Sequence, residues 1–146
     1  KSNFIYMTGN SFQHFLTNES QDALFMSVKK HLNANGELIF DTRNPILYEL
    51  SNVDITEETI EQNGEITKVI HKEVYDSLTQ ILECTSIYIS SKNEYKDSIK
   101  LRYTYPLELK TLLQQHDFEL INLYGSWKKE TFDANSISMV VHARLK

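Results

Sequence analysis

The apolar residues of this chain change their spacing several times, and each change marks an element. Asn3-Phe4-Ile5-Tyr6-Met7 is a short apolar run closed by Thr8-Gly9-Asn10. It is too short for a helix and suits a buried strand that empties into a loop. Asn18-Glu19-Ser20-Gln21 then offers a capping side chain with a Gln three residues on. Leu24, Val28, His31 and Leu32 follow at i, i+4, i+7 and i+8, so a helix with one apolar face is predicted over residues 18–33. Asn35-Gly36 should end it, the glycine taking the left-handed turn. Glu37-Leu38-Ile39-Phe40-Asp41 is a second short strand. Strand, helix and strand in this order make a βαβ unit, with parallel pairing and a right-handed crossover.

Over residues 54–105 the period becomes two. Ile66, Ile70 and Val74 alternate with Thr67, Val69, His71, Glu73 and Tyr75, and Ile81, Ile87 and Ile89 with Leu82, Cys84 and Tyr88. Asn63-Gly64 is a strong hairpin signal, because both residues tolerate the positive φ of a type I′ turn. Asp76-Ser77 and Ser91-Lys92-Asn93 mark two further reversals, giving an antiparallel sheet of three or four strands. Pro106 opens a second helix, in which Leu109, Leu112, Leu113 and His116 share a face. Residues 118–123 form a strand, and Ile137, Met139, Val141, Ala143 and Leu145 alternate as another. The last two should pair antiparallel across a loop over residues 125–135. The division expected is residues 1–53 as an α/β core, 54–105 as an inserted antiparallel sheet, and 106–146 completing the core.

Composition narrows the function classes. The chain has 146 residues with a net charge of -5, 40% hydrophobic and 24% charged residues, enough for one domain with a real core. Acidic balance and scattered basic residues argue against nucleic acid and anionic membranes as partners. The glycines, Gly9, Gly36, Gly64 and Gly125, stand apart, so no phosphate-cradling loop can be assembled from them. Cys84 is the only cysteine, which favours a reducing compartment. No window of about 18 apolar residues exists, the polar start is no signal peptide, and a cytoplasmic protein is expected. The absence of an initial Met suggests a processed or cut product. His31, His71, His116 and His142 have no metal-ligand spacing with one another or with Cys84, so no metal is expected.

The strand ending in Gly9-Asn10-Ser11-Phe12-Gln13-His14-Phe15, the capped helix closing on His31-Leu32-Asn33-Ala34-Asn35-Gly36, and the strand Glu37–Asp41 together resemble class I S-adenosylmethionine-dependent methyltransferases. Arg102-Tyr103-Thr104-Tyr105-Pro106-Leu107-Glu108-Leu109 and Tyr124-Gly125-Ser126-Trp127 are similar to the C-terminal section of that family. The resemblance spans nearly the whole chain. It implies an α/β fold: the C-terminal half of a Rossmann-like methyltransferase sheet, strands 4-5-7-6 of the family's 3-2-1-4-5-7-6, with an inserted antiparallel β-sheet on the substrate side. It also implies S-adenosylmethionine as cofactor and a small-molecule substrate. The family's glycine-rich turn and its acidic ribose ligand have no counterpart here. The chain looks like the back half of such an enzyme, whether a shortened gene, an excised piece or a proteolytic product, and alone it should be inactive.

In open α/β sheets the ligand crevice lies beyond the carboxyl ends of the strands. The resemblance places Thr8, Gly9, Asn10 and Ser11 beside the methionyl part of the cofactor; a plain strand-to-helix loop is the alternative. His14 is either a base or polar cofactor contact, or a packed, hydrogen-bonded histidine between Phe12 and Phe15. Asp41, Arg43 and Asn44 end the second strand and either orient a substrate, the Arg fork suiting a carboxylate, or form an Asn-Pro turn with a surface arginine. Tyr48, Tyr103, Tyr124 and Trp127 form an aromatic set that either walls a substrate pocket or edges the core. The competing function class is a non-catalytic α+β module that oligomerises through its sheet. By the family's strand order, residues 3–7 leave an unguarded apolar sheet edge and both helices cover the same face, so a homodimer is expected; the alternative is a monomer in which the inserted sheet folds back over the bare face.

Overall fold

The computed structural model describes residues 1–146. Eight strands and three α-helices follow in the order β1 (Ser2–Met7), α1 (Asn18–His31), β2 (Leu32–Arg43), α2 (Leu47–Leu50), β3 (Asp54–Gln62), β4 (Glu65–Asp76), β5 (Ile81–Ile89), β6 (Glu94–Arg102), α3 (Pro106–Gln115), β7 (Phe118–Tyr124) and β8 (Ser138–Leu145), with a 3₁₀ turn at Ser11–His14. They divide into two compact units, Lys1–Ile46 with Tyr103–Lys146, and Leu47–Arg102.

In the first unit the sheet order is β1-β2-β8-β7. β1 runs parallel to β2, while β8 is antiparallel to both β2 and β7. This is the 4-5-7-6 order that the resemblance implies, with β1 at an edge. One face of the sheet, carrying Leu38, Phe40, Met139, Val141, Ala143 and Leu145, packs on Phe25 and Val28 of α1 and on Leu109, Leu112 and Leu113 of α3. Both helices therefore share a face. Phe25 sits at the centre, with ring centroids 6.0 Å from Phe12, 6.1 Å from Phe40, 6.0 Å from Phe118 and 5.5 Å from the stacked imidazole of His116. His116 in turn bonds Asp22 of α1 through Nε2 at 2.9 Å, tying the two helices together.

Three local readings change. Thr17 rather than Asn18 caps α1: its hydroxyl accepts the Ser20 N–H at 3.1 Å, and the Ser20 hydroxyl accepts the Thr17 N–H at 3.0 Å. The buried stripe of α1 runs through Gln21, Phe25 and Val28, whereas His31 is exposed. The helix stops at His31, and the left-handed residue after it is Asn35, at φ 62°. Gly36 is needed for closeness instead: a Cβ there would lie 2.8 Å from the Asn33 carbonyl oxygen.

The second unit is one antiparallel sheet, β3-β4-β5-β6, made of successive hairpins. Asn63 and Gly64 take φ of 52° and 78°, as the type I′ signal requires. Thr67, Val69, Leu82 and Arg102 are its buried positions, while Ile66 and Val74 are exposed. Alternation identified the strands without identifying which face would be covered.

Candidate functional site

β1 and β2 run parallel, and β7 shares their direction because β8 is antiparallel to its neighbours on both sides. The carboxyl ends of all three strands thus meet at one end of the sheet. The loop Thr8-Gly9-Asn10-Ser11 leaves β1 there. Gly9 and Asn10 both take left-handed backbone, at φ 70° and 56°, which throws the chain sharply into the 3₁₀ turn. The Ser11 hydroxyl donates to the Thr8 carbonyl at 2.6 Å and closes the loop on itself. Thr8, Gly9 and Ser11 are exposed. The side-chain Oδ1 of Asn10 is buried and accepts no hydrogen bond.

Asp41, on the opposite side of β2 from Phe40, joins this loop to the one after β7. Its Oδ1 accepts the Asn10 backbone N–H at 2.9 Å, and its Oδ2 accepts the Trp127 indole N–H at 3.0 Å. Both partners are donors, and the two oxygens of the carboxyl group are the acceptors that satisfy them. Arg43, two residues along the same face, is half-buried. Asn44 is committed elsewhere: its amide donates to the Ser136 carbonyl at 2.8 Å and its backbone N–H to the Ile137 carbonyl at 2.9 Å, pinning the β7–β8 loop. These bonds hold Asn44 in the turn that follows β2.

The sheet face away from α1 and α3 holds a cavity of about 300 Å³. Ile39, Val140, Tyr124 and Trp127 give it apolar walls, and Asn122, Ser126, Lys129 and His142 supply polar groups. A bulge in β7 makes this possible. The pairing slips between Leu120 and Asn122, so Asn122 and Tyr124 face His142 and Val140 across the strands. Beyond the cavity, Glu37 accepts from Arg144 at 3.0 Å and lies 3.3 Å from His142 Nε2; these two groups, Arg144 first, hold its carboxyl below the usual range.

Of the aromatic set, Tyr124 and Trp127 share this cavity. Tyr103 is buried, and Tyr48 lies 83% exposed in the other unit. His14 ends the 3₁₀ turn exposed to solvent, which sets aside the packed histidine alternative. His142, which lines the cavity, is not among the residues that the sequence reading singled out for a site. A larger depression of about 590 Å³, lined by Gln62, Thr67, Tyr88, Tyr95 and others, lies within the second unit and contains none of the expected site residues.

No protein-family model matches the sequence, and no curated protein does. Solved structures do match. The CcbJ methyltransferase from Streptomyces caelestis superposes with a TM-score of 0.79 at 22% identity, over 99% of this chain and 61% of its own. The chain carries the class I methyltransferase fold. An S-adenosylmethionine-dependent methyltransferase from Clostridium acetobutylicum (TM-score 0.77, 12% identity) and the amino pentose methyltransferase CalS10 from Micromonospora echinaspora (TM-score 0.67, 9% identity) share that fold, each over 99% of this chain and 58% of its own. The present chain thus spans about three-fifths of the methyltransferases it resembles. Within this fold the sheet end that gathers Asn10, Asp41 and Trp127 is the carboxyl end of the strands, where ligands of open α/β sheets bind. No three His, Cys, Asp or Glu side chains converge in a metal-binding group. No helix is long and apolar enough to cross a membrane.

Proposed function

We propose that this chain forms the methionyl side of an S-adenosylmethionine site and one wall of the substrate site in a small-molecule methyltransferase. The observation that carries the reading is the Thr8–Ser11 loop at the carboxyl end of β1, where Asn10 Oδ1 is a buried acceptor without a donor. An ammonium such as the cofactor's amino group is a donor suited to that acceptor. The cofactor, when bound, supplies a methyl group on a sulfonium. Alignment and water exclusion are what such a displacement asks of the protein, and in this reading Tyr124, Trp127 and Arg43 orient the acceptor. His14, exposed at the end of the turn, is available to take a proton from it. The amino pentose substrate named for CalS10 supports a small polar acceptor as the class.

By itself the chain offers only part of the contacts. Each missing hydrogen bond to a charged or buried group is worth about 1 to 3 kcal/mol, so losing several moves a micromolar ligand to about millimolar. Calorimetry should therefore detect no micromolar S-adenosylmethionine binding, while amide spectra at millimolar ligand should move at residues 8–11. Micromolar affinity would overturn the partial-site reading, and unmoved loop amides would overturn the cofactor reading. A homodimer is the assembly that goes with it. The outer edge of β1 is unpaired, and Phe4 and Tyr6 stack on the sheet face away from the helices, 48% and 64% exposed. Light scattering should show a dimer that Tyr6→Lys dissociates; a monomeric wild-type chain refutes it.

A further inference from the structure

We propose that Asp41 is a positioning residue: its carboxylate locks the Gly9-Asn10 turn to the Trp127 loop and so fixes where Asn10 presents its free acceptor. The inference rests on the cofactor reading above and extends it to a residue that would touch no ligand. The Asn10 turn depends on this anchor. Asn10 has left-handed backbone and its side chain caps nothing; the Ser11 hydroxyl closes the turn locally, and the bond from the Asn10 N–H to Asp41 Oδ1 is what ties it to β2. The second oxygen of the same carboxylate receives the indole of Trp127, a wall of the 300 Å³ cavity. Asp41 is buried, while its partners Asn10 and Trp127 are partly exposed. One carboxyl group therefore couples two loops that lie 31 and 86 residues from it in sequence.

The requirement is for two acceptor oxygens as well as shape. Asparagine matches aspartate in size but turns one acceptor into an NH₂ donor, which would then face a donor. Asp41→Asn should break one of the two links and leave the other strained or lost. Asp41→Glu retains two acceptor oxygens and should recover part of the coupling. Trp127 is the single tryptophan, so its indole N–H is an unambiguous spectroscopic reporter.

The experiment uses amide and indole N–H spectra of the 146-residue chain as wild type, Asp41→Asn and Asp41→Glu, each titrated with S-adenosylhomocysteine at millimolar concentrations. The result expected is that Asp41→Asn moves the Asn10 amide and the Trp127 indole resonances together, with the core amides of β8 unchanged. The ligand-induced shift of the Asn10 amide should need about tenfold more ligand in Asp41→Asn, and Asp41→Glu should regain part of this loss. Unmoved Asn10 and Trp127 resonances in Asp41→Asn would overturn the proposal, as would unchanged ligand dependence beside a wild type that binds. Should the wild type show no ligand response while Asp41→Asn still displaces both resonances, the cofactor reading fails and the coupling by Asp41 stands.

Discussion

Replacing Phe25 by alanine should remove the hub of the first unit's core. Its ring is fully buried and meets Phe12, Phe40, Phe118 and His116 at centroid distances of 5.5 to 6.1 Å. Deleting a buried phenylalanine costs about 3 to 5 kcal/mol through lost transfer energy and the cavity left behind. Three of these contacts are edge-to-face pairs between phenylalanines, each worth about 0.5 to 1.5 kcal/mol beyond area, which places the loss toward the upper end. Whole domains are stable by only about 5 to 15 kcal/mol, so most of a modest reserve would go. In urea, with a slope of about 2 kcal/mol per molar, the midpoint followed by far-ultraviolet circular dichroism should fall by about 2 M. Met26→Ala, one residue away on the exposed side of α1, is the control and should move the midpoint little. A Phe25→Ala shift below about 0.5 M at unchanged slope would refute this account of the core.

Two further outcomes are expected. Glu37 has its carboxyl lowered by Arg144 and then His142, so its folded value lies below the unfolded one. Its contribution is complete above the unfolded carboxylate value near 4.5 and is lost as pH falls through the folded value; melting temperatures of Glu37→Gln should therefore converge on wild type only at acid pH, and curves parallel throughout would contradict this. Burial first, and Glu73 second, push the Cys84 thiol up. At pH 8 its alkylation by iodoacetamide should be slower than in the urea-unfolded chain, and equal rates would contradict it.

The elements that sequence periodicity identified well are those whose signals are local. Asn63-Gly64 announces its hairpin because two adjacent residues must take positive φ, and Pro106 with Leu109, Leu112 and Leu113 marks α3 because its stripe and its first turn lie within ten residues. The errors come where a distant partner decides. Phe25 did not enter the expected stripe of α1, yet the aromatic rings of Phe40 and Phe118 make it the most enclosed residue of the helix. Asn35, rather than Gly36, turns left-handed because the Cβ-free position is wanted where Asn33 and Leu32 crowd the backbone. The loop at residues 8–11 could be located from the end of an apolar run. The role of Asp41 could not, since its two partners come from separate loops and no spacing in the sequence brings them together.

The placement of β8 bears on the order in which the protein is assembled. β8 lies between β2 and β7, and the whole Leu47–Arg102 unit is synthesised after β2 and before β8. That intervening unit closes by successive hairpins, each strand meeting the one just made, so its loops to be closed are short. β2 has no such neighbour following it in the chain. From the time it leaves the ribosome until β8 arrives, one of its edges stays open with the apolar residues Leu38, Ile39 and Phe40 beside it. Nascent chains paused in that interval should be the aggregation-prone species of this protein, and recruitment of a chaperone is expected to begin there rather than after release.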